Sequence, residues 1–280
     1  RGHRHIFQKA IRRGRERKLA PLVYTFDPHP ARILVPNMSP PMIMTLTQRI
    51  REIRKCRIRR IFVQKFTRPF ARLSPEDFFQ RIVRRKLKAR EILVGYDFTF
   101  GYHRRGTTEL LEKLGKSAGI RVQVMEPYLW RETLVSSSEI RRLLSQGRIP
   151  EAEDLMGHSY RMEGTGGRGH GRGGEMGIHT ANLKPVNERI LPPGVYATLT
   201  FIGKKRCPSV TNIGPNPTFG PAPVTIETHL IGFRRSILGQ KIGLQFVRKL
   251  REEITFSSSR ELAAQIRNDV ELARRILGKF

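Results

Sequence analysis

The sequence predicts an α/β fold, a parallel sheet with flanking helices, followed by a small antiparallel β-barrel and a C-terminal helix. Three observations carry this. Short apolar runs alternate with helical patterns from residue 1 to about 155. Glycines then crowd residues 164 to 177, and short alternating segments follow them. The chain closes with apolar residues at helical spacing from about Ser259. Strand–helix alternation implies a parallel sheet covered by helices, whereas short strands with turn signals imply an antiparallel barrel.

The elements follow in order. Pro21 to Phe26 is a short apolar run bounded by turn residues, as suits a buried parallel strand, and Ile61–Val63, Ile92–Val94 and Val122–Met125 read the same way. Between them the clearest helix spans Ser74 to Lys88, with Ser74 as N-cap, Pro75 at the first position and Asp77 as a short capping-box acid. Phe78, Phe79, Ile82, Val83 and Leu87 form its apolar face. In the second half, Val195–Ile202, Cys207–Ile213, Val224–Leu230 and Ile242–Phe246 read as strands, with Gly203-Lys204 a hairpin turn between the first two. Leu262, Ile266, Val270 and Ile276 mark the closing helix. The boundary falls near Gly157 to Tyr160, giving domains 1–157 and 158–280.

Composition narrows the class. No apolar run approaches the roughly 20 residues that span a bilayer, so no membrane partner is expected. The basic N-terminal stretch lacks the apolar core of a secretory signal. Two cysteines, Cys56 and Cys207, stand far apart without a CxxC or Cys/His cluster, which argues against zinc and points to a reducing cytoplasm. The net charge of +29 attracts polyanions: nucleic acids, anionic membranes or phosphorylated metabolites. Its arginines are spread through helices rather than gathered in a tail, as on a solvated basic surface.

Open parallel sheets bind ligands at the carboxyl ends of their strands. Here those ends run into Asp27-Pro28-His29-Pro30 and Gly95-Tyr96-Asp97-Phe98-Thr99-Phe100-Gly101. His3 opens a helical segment after Gly2, where backbone N–H groups favour an anion. Ser136-Ser137-Ser138-Glu139-Ile140-Arg141 opens another helix. With Ser138 as N-cap, Arg141 falls in the first turn, so that serine hydroxyls, backbone N–H groups and a guanidinium converge on a polyphosphate. Each segment alone also suits an ordinary capped helix or a surface histidine.

Taken together, His3, Phe26–Pro30, Gly95–Gly101 and Ser136–Arg141 resemble, in order and spacing, the Rossmann-like nucleotidyltransferase domain of bacterial FAD synthetases, and Phe66–Phe78 (FTRPFARLSPEDF) looks like the same family. Gly173–Leu183 (GGEMGIHTANL), Asn212–Gly220 (NIGPNPTFG), Val224–Phe233 (VTIETHLIGF) and Lys249–Phe256 (KLREEITF) resemble blocks of riboflavin kinases. The chain is therefore similar, over nearly its whole length, to the bifunctional riboflavin kinase and FMN adenylyltransferase family. That resemblance implies two transfers, riboflavin to FMN in the barrel and FMN to FAD in the α/β domain, with ATP as donor and Mg2+ as cofactor. It implies roles for Gly177, Thr180 and Asn182 in holding ATP and Mg2+, for Glu227 as general base, and for Arg251 at the flavin. It implies ATP and FMN binding by His3, His29, Asp97, Ser137, Ser138 and Arg141.

Three departures bear on activity. His179 replaces the family's proline before Thr180, Ile178 stands for an aromatic residue, and Gly166 and Gly167 replace β-branched residues, which weakens a strand. Arg1-Gly2-His3 looks like the last three residues of the family's His-x-Gly-His motif, so a central strand and a further histidine are expected upstream, and adenylyl transfer is expected to be impaired without them. The alternative class is a basic nucleic-acid-binding protein that has kept the fold and lost catalysis. Oligomeric state is left open.

Overall fold

The computed structural model describes residues 1–168, 180–215, 224–233 and 235–278. By its internal contacts the chain forms two compact units: 1–40 with 46–135, and 41–45 with 136–280.

The first unit opens with helix α1 (Gly2–Glu16), followed by β1 (Leu22–Asp27), a short α2 (Pro30–Leu34), α3 (Leu46–Lys55) and β2 (Arg60–Lys65). Then come α4 (Arg68–Ala71), α5 (Pro75–Phe78), β3 (Glu91–Gly95), α6 (Thr108–Ser117), β4 (Arg121–Met125) and a small hairpin, β5 (Leu129–Trp130) with β6 (Thr133–Leu134). The expected strands pair in parallel, but as two separate pairs: β1 with β2 and β3 with β4. Phe78, Phe79, Ile82, Val83, Val94, Phe100, Leu111 and Ile120 form the core, with Tyr24 of β1 packed against it. Arg13 and Arg17 of α1 both hold the nearly buried carboxylate of Glu91 at the start of β3, at 2.9 and 3.1 Å.

The helix expected over 74–88 is present with a change of winding. Ser74 Oγ accepts from the Asp77 N–H at 3.0 Å, as the N-cap should. Asp77, however, pairs with Arg81 at 3.0 Å instead of turning back to complete a capping box. Beyond Phe78 the chain runs as a π-helix over Phe79–Lys86. The apolar spacing explains it. Phe78 and Leu87 would lie on opposite sides of an α-helix of 3.6 residues per turn, while turns that each take an extra residue bring them to one face. Both pack in the same core.

The second unit begins with two helices, α7 (Ser137–Ser145) and α8 (Ile149–Met156). Strands β7 (Arg161–Arg168), β8 (Thr180–Pro185), β9 (Gly194–Ile202), β10 (Lys205–Pro215), β11 (Val224–Leu230) and β12 (Lys241–Arg251) close a barrel in the order β10-β11-β8-β7-β12-β9. The hairpin joining β9 to β10 turns at Gly203 and Lys204, as the sequence suggests, with Gly203 at φ 57°. Alternation splits β9 between two environments. Val195, Ala197 and Leu199 pack beneath the closing helix α9 (Ser259–Leu277) with Val210, Ala273 and Leu277. Thr198 and Thr200 point the other way, into a fully buried hydroxyl ladder. Thr198 Oγ1 meets Ser209 and Thr211 at 2.8 and 2.7 Å, Thr200 meets Ser209 at 2.7 Å, and Thr211 reaches Thr228 at 3.0 Å. Each hydroxyl is thereby satisfied inside the barrel, where an unpaired one would be costly.

Gly166 and Gly167, read from the sequence as weakening a strand, both lie within β7. They pair with Leu183 and Asn182 of β8. A Cβ on Gly166 would lie 2.3 Å from the carbonyl oxygen of Ile237, so the glycine admits a close backbone approach that a β-branched residue would block. Among the described residues, no helix is long and apolar enough to cross a membrane.

Candidate active sites

In the first unit, the carboxyl ends of β1 and β3 and the start of α1 carry the chemistry. His3 lies in the first turn of α1. Its ring is open to solvent, yet the surrounding protein depresses its pKa by desolvation, and the carboxylate of Asp97 opposes that shift. Asp97 follows β3 in a tight turn closed by Phe98 N–H donating to the Gly95 carbonyl at 3.1 Å. The same loop is pinned by paired bonds between Phe100 and Gly106. His29 follows β1 and caps α2, with Nδ1 accepting from the Ala31 N–H at 3.2 Å. A neutral His29 therefore carries its proton on Nε2.

Two features of this unit escape the sequence reading. One is a run of aromatic rings in edge or tilted contact, Phe26 to Phe66 and Phe70, Phe70 to Phe78, and Phe78 to Phe100, at centroid distances from 5.4 to 6.3 Å. It joins the end of β1 to the loop bearing Asp97. A signal was present in the phenylalanines of Phe66–Phe78, a stretch noted above only for its family resemblance and for the helix that begins at Ser74. The other is Arg49 of α3, whose Nη2 donates to the carbonyl of Phe26 at 2.9 Å.

Ser137, Ser138 and Arg141 belong to the second unit. Here the expected cap is corrected. Ser136, not Ser138, is the N-cap of α7, its Oγ accepting from Glu139 N–H at 3.1 Å. Ser-x-x-Glu is the spacing that satisfies a helix start, and Ser136 and Glu139 have it. Ser137 and Ser138 thus occupy the exposed first turn with free-facing N–H groups of the helix, and Arg141 moves to the second turn. Arg141 is half-buried, its pKa lowered by desolvation, and its Nε donates to Pro41 O at 2.8 Å.

The barrel sets its candidate residues in a row. Asn182 of β8 lies directly opposite Glu227 of β11, and Glu227 directly opposite Asn212 of β10. Opposed residues share a face of the sheet, so an amide, a carboxylate and a second amide stand side by side on three neighbouring strands. Thr180 opens β8 two residues before Asn182. Gly177, Ile178 and His179 lie outside the described residues. Asn212 Nδ2 donates to Glu253 Oε1 at 3.1 Å, which ties the segment after β12 to this row. Arg251, at the end of β12, reaches Asp269 of α9 through Nε at 3.0 Å and Nη2 at 2.8 Å, and its Nη1 donates to the Glu252 carbonyl.

A family model described as FAD synthetase matches residues 1–139, and one described as riboflavin kinase matches residues 156–277. A bifunctional riboflavin kinase/FMN adenylyltransferase of Escherichia coli (strain K12) is 31% identical over 280 residues, covering 99% of this chain and 89% of that protein. The chain belongs to the bifunctional riboflavin kinase/FMN adenylyltransferase family. Another member, from Bacillus subtilis (strain 168), is 32% identical over 280 residues, with 98% of this chain and 88% of the relative covered. A crystal structure described as a macrolide-efflux protein from Streptococcus pneumoniae matches with a TM-score of 0.86 at 25% identity, over 98% of this chain and 89% of that one. Both enzyme domains of the family are present, and the nucleic-acid-binding alternative is not supported.

Proposed function

We propose that this protein phosphorylates riboflavin to FMN in the barrel domain, residues 158–280, and adenylylates FMN to FAD through the α/β domain, residues 1–157. The observation that carries the reading is the coincidence of a full-length family match with the register of Asn182, Glu227 and Asn212 across three adjacent strands.

For the kinase step, Glu227 accepts the proton of the riboflavin hydroxyl as its oxygen attacks the γ-phosphorus of ATP and ADP leaves. The donor set suits Mg2+. The amide oxygen of Asn182 and the hydroxyl of Thr180 are hard oxygen ligands, and Asn182 stands opposite the carboxylate of Glu227. Bound there with Gly177 and the ATP phosphates, the ion would neutralise charge on the transferring group. Arg251 acts at the flavin from the segment that Glu253 ties to Asn212, and its pairing with Asp269 fixes the orientation of its guanidinium.

For the second step, the phosphate of FMN attacks the α-phosphorus of ATP and pyrophosphate leaves. His3, His29, Ser137, Ser138 and Arg141 serve the phosphates, and Asp97 serves the nucleotide substrates from the turn after β3. A depressed pKa keeps His3 a neutral hydrogen-bond partner until an anion draws a proton onto it. Catalysis of this kind rests on positioning and charge stabilisation. Small-molecule substrates and flavin-synthesising bacterial relatives support a cytoplasmic location.

The test is product chromatography. Supplied with ATP and Mg2+, the chain should convert riboflavin to FMN and FMN to FAD. Failure to form FMN from riboflavin would overturn the barrel assignment, and failure to form FAD from FMN would overturn the assignment of the α/β domain.

A further inference from the structure

Arg49 differs from the other arginines of its unit. Arg13 and Arg17 spend their guanidinium groups on Glu91, and Arg4 reaches Glu52. Arg49 is half-buried in α3 and makes no ion pair among the described residues. Its Nη2 is tethered to the carbonyl of Phe26 at 2.9 Å, and its Nε is buried with no hydrogen-bond partner among the described residues. Desolvation lowers its pKa, and the nearby Asp27 only partly offsets that by attraction. A guanidinium held out of water with an unmatched N–H is an expensive arrangement unless something completes it.

The position indicates what that is. Phe26 and Asp27 end β1, and the carboxyl end of a parallel strand is where such sheets take their ligands. His3, at the start of α1, feels the charge of both Arg49 and Asp97, so these groups surround one region. The tether also matters. With Nη2 bound to backbone, the planar fork is already oriented, and less conformational freedom remains to be lost when an anion arrives. An oxyanion is the chemical match for a fixed guanidinium with an unused N–H.

We propose that Arg49 binds a phosphate group of the adenylyl-transfer substrates, an inference that rests on the assignment of that step to the α/β domain. The phosphate can come from FMN or from ATP, and kinetics separate the two. The full chain and its Arg49→Gln and Arg49→Lys variants are assayed for FAD formation with FMN and ATP varied in turn. Thermal melts of the same preparations, followed by circular dichroism, report on folding of the α/β unit.

Arg49→Gln should raise KM by about tenfold or more for the substrate whose phosphate it holds. The other KM should change by less than about twofold. Arg49→Lys, which keeps the charge, should recover part of the loss. A rise for FMN alone assigns the acceptor phosphate. A rise for ATP alone, with weaker inhibition by inorganic pyrophosphate, assigns the donor. A comparable fall in kcat with an unchanged melt also supports the contact, as one that tightens in the transition state. Unchanged FAD kinetics in Arg49→Gln would overturn the proposal alone. Lost FAD formation with a collapsed melt of the α/β unit in both variants would overturn it too, by showing Arg49 to be structural support for β1. No FAD from the unaltered chain would overturn the underlying assignment, and the proposal with it.

Discussion

Glu153 makes the stability of the second unit depend on pH near neutrality. Its side chain, on α8, accepts from the Tyr160 N–H at 2.7 Å, where the chain enters the barrel. Burial pushes its pKa up from 4.5 to about 7, against the opposing pull of the Tyr160 N–H and of Arg161. The folded protein therefore keeps a proton that the unfolded chain releases at about 4.5. Stability from this group is complete below that value and is lost as pH rises through about 7. A shift of this size corresponds to roughly 3 kcal/mol at most, and partial exposure of the side chain reduces the net effect to about 1–2 kcal/mol. Glu153→Gln keeps an acceptor for Tyr160 and cannot ionise. At pH 8 the variant should be the more stable by about 1–2 kcal/mol, or roughly 2–6 °C in Tm, and at pH 5 the two should match. Thermal melts followed by circular dichroism at both pH values measure this. A stability difference that is the same at pH 5 and pH 8 would refute the reasoning.

Two further substitutions test the packing of the barrel. Gly166→Val should cost about 1–3 kcal/mol in urea unfolding, because its Cβ would meet the Ile237 carbonyl; a neutral result would mean that the strand can move away. Asp269→Ala removes the buried partner of Arg251 and should cost about 2–4 kcal/mol while raising KM for riboflavin, since the guanidinium loses its orientation; a stability loss with unchanged KM would confine the pair to a structural role.

The fold was legible where local chemistry and tertiary packing agree. Pro21–Phe26 and Val195–Ile202 are apolar or alternating runs between turn residues, and both are strands. The closing helix declared itself by spacing, and in the structure Ser258 caps it. What escaped the sequence depends on distant partners. β7 is rich in glycine and reads as weak until Ile237 is seen to press on Gly166. The π-helix of 79–86 has a good α-helical pattern for its first turns, and only the place of Leu87 in the core shows the wider winding. At the sites, motif residues such as Asn182 and Glu227 were found through resemblance, but their side-by-side register needed the sheet. Arg49 sits among many arginines in a strongly basic chain, and nothing in its sequence neighbours distinguishes it. Its tether to Phe26 and its unmatched Nε exist only in the folded unit.

The account divides two activities between two units, and one variant separates them most directly. Glu227→Gln removes the proposed proton acceptor of the kinase step and leaves the α/β domain untouched. Given riboflavin, ATP and Mg2+, it should form FMN at least about 100-fold more slowly than the unaltered chain. Given FMN instead, it should make FAD at the unaltered chain's rate. Equal loss of both conversions, or FMN formation at the full rate, would contradict the account.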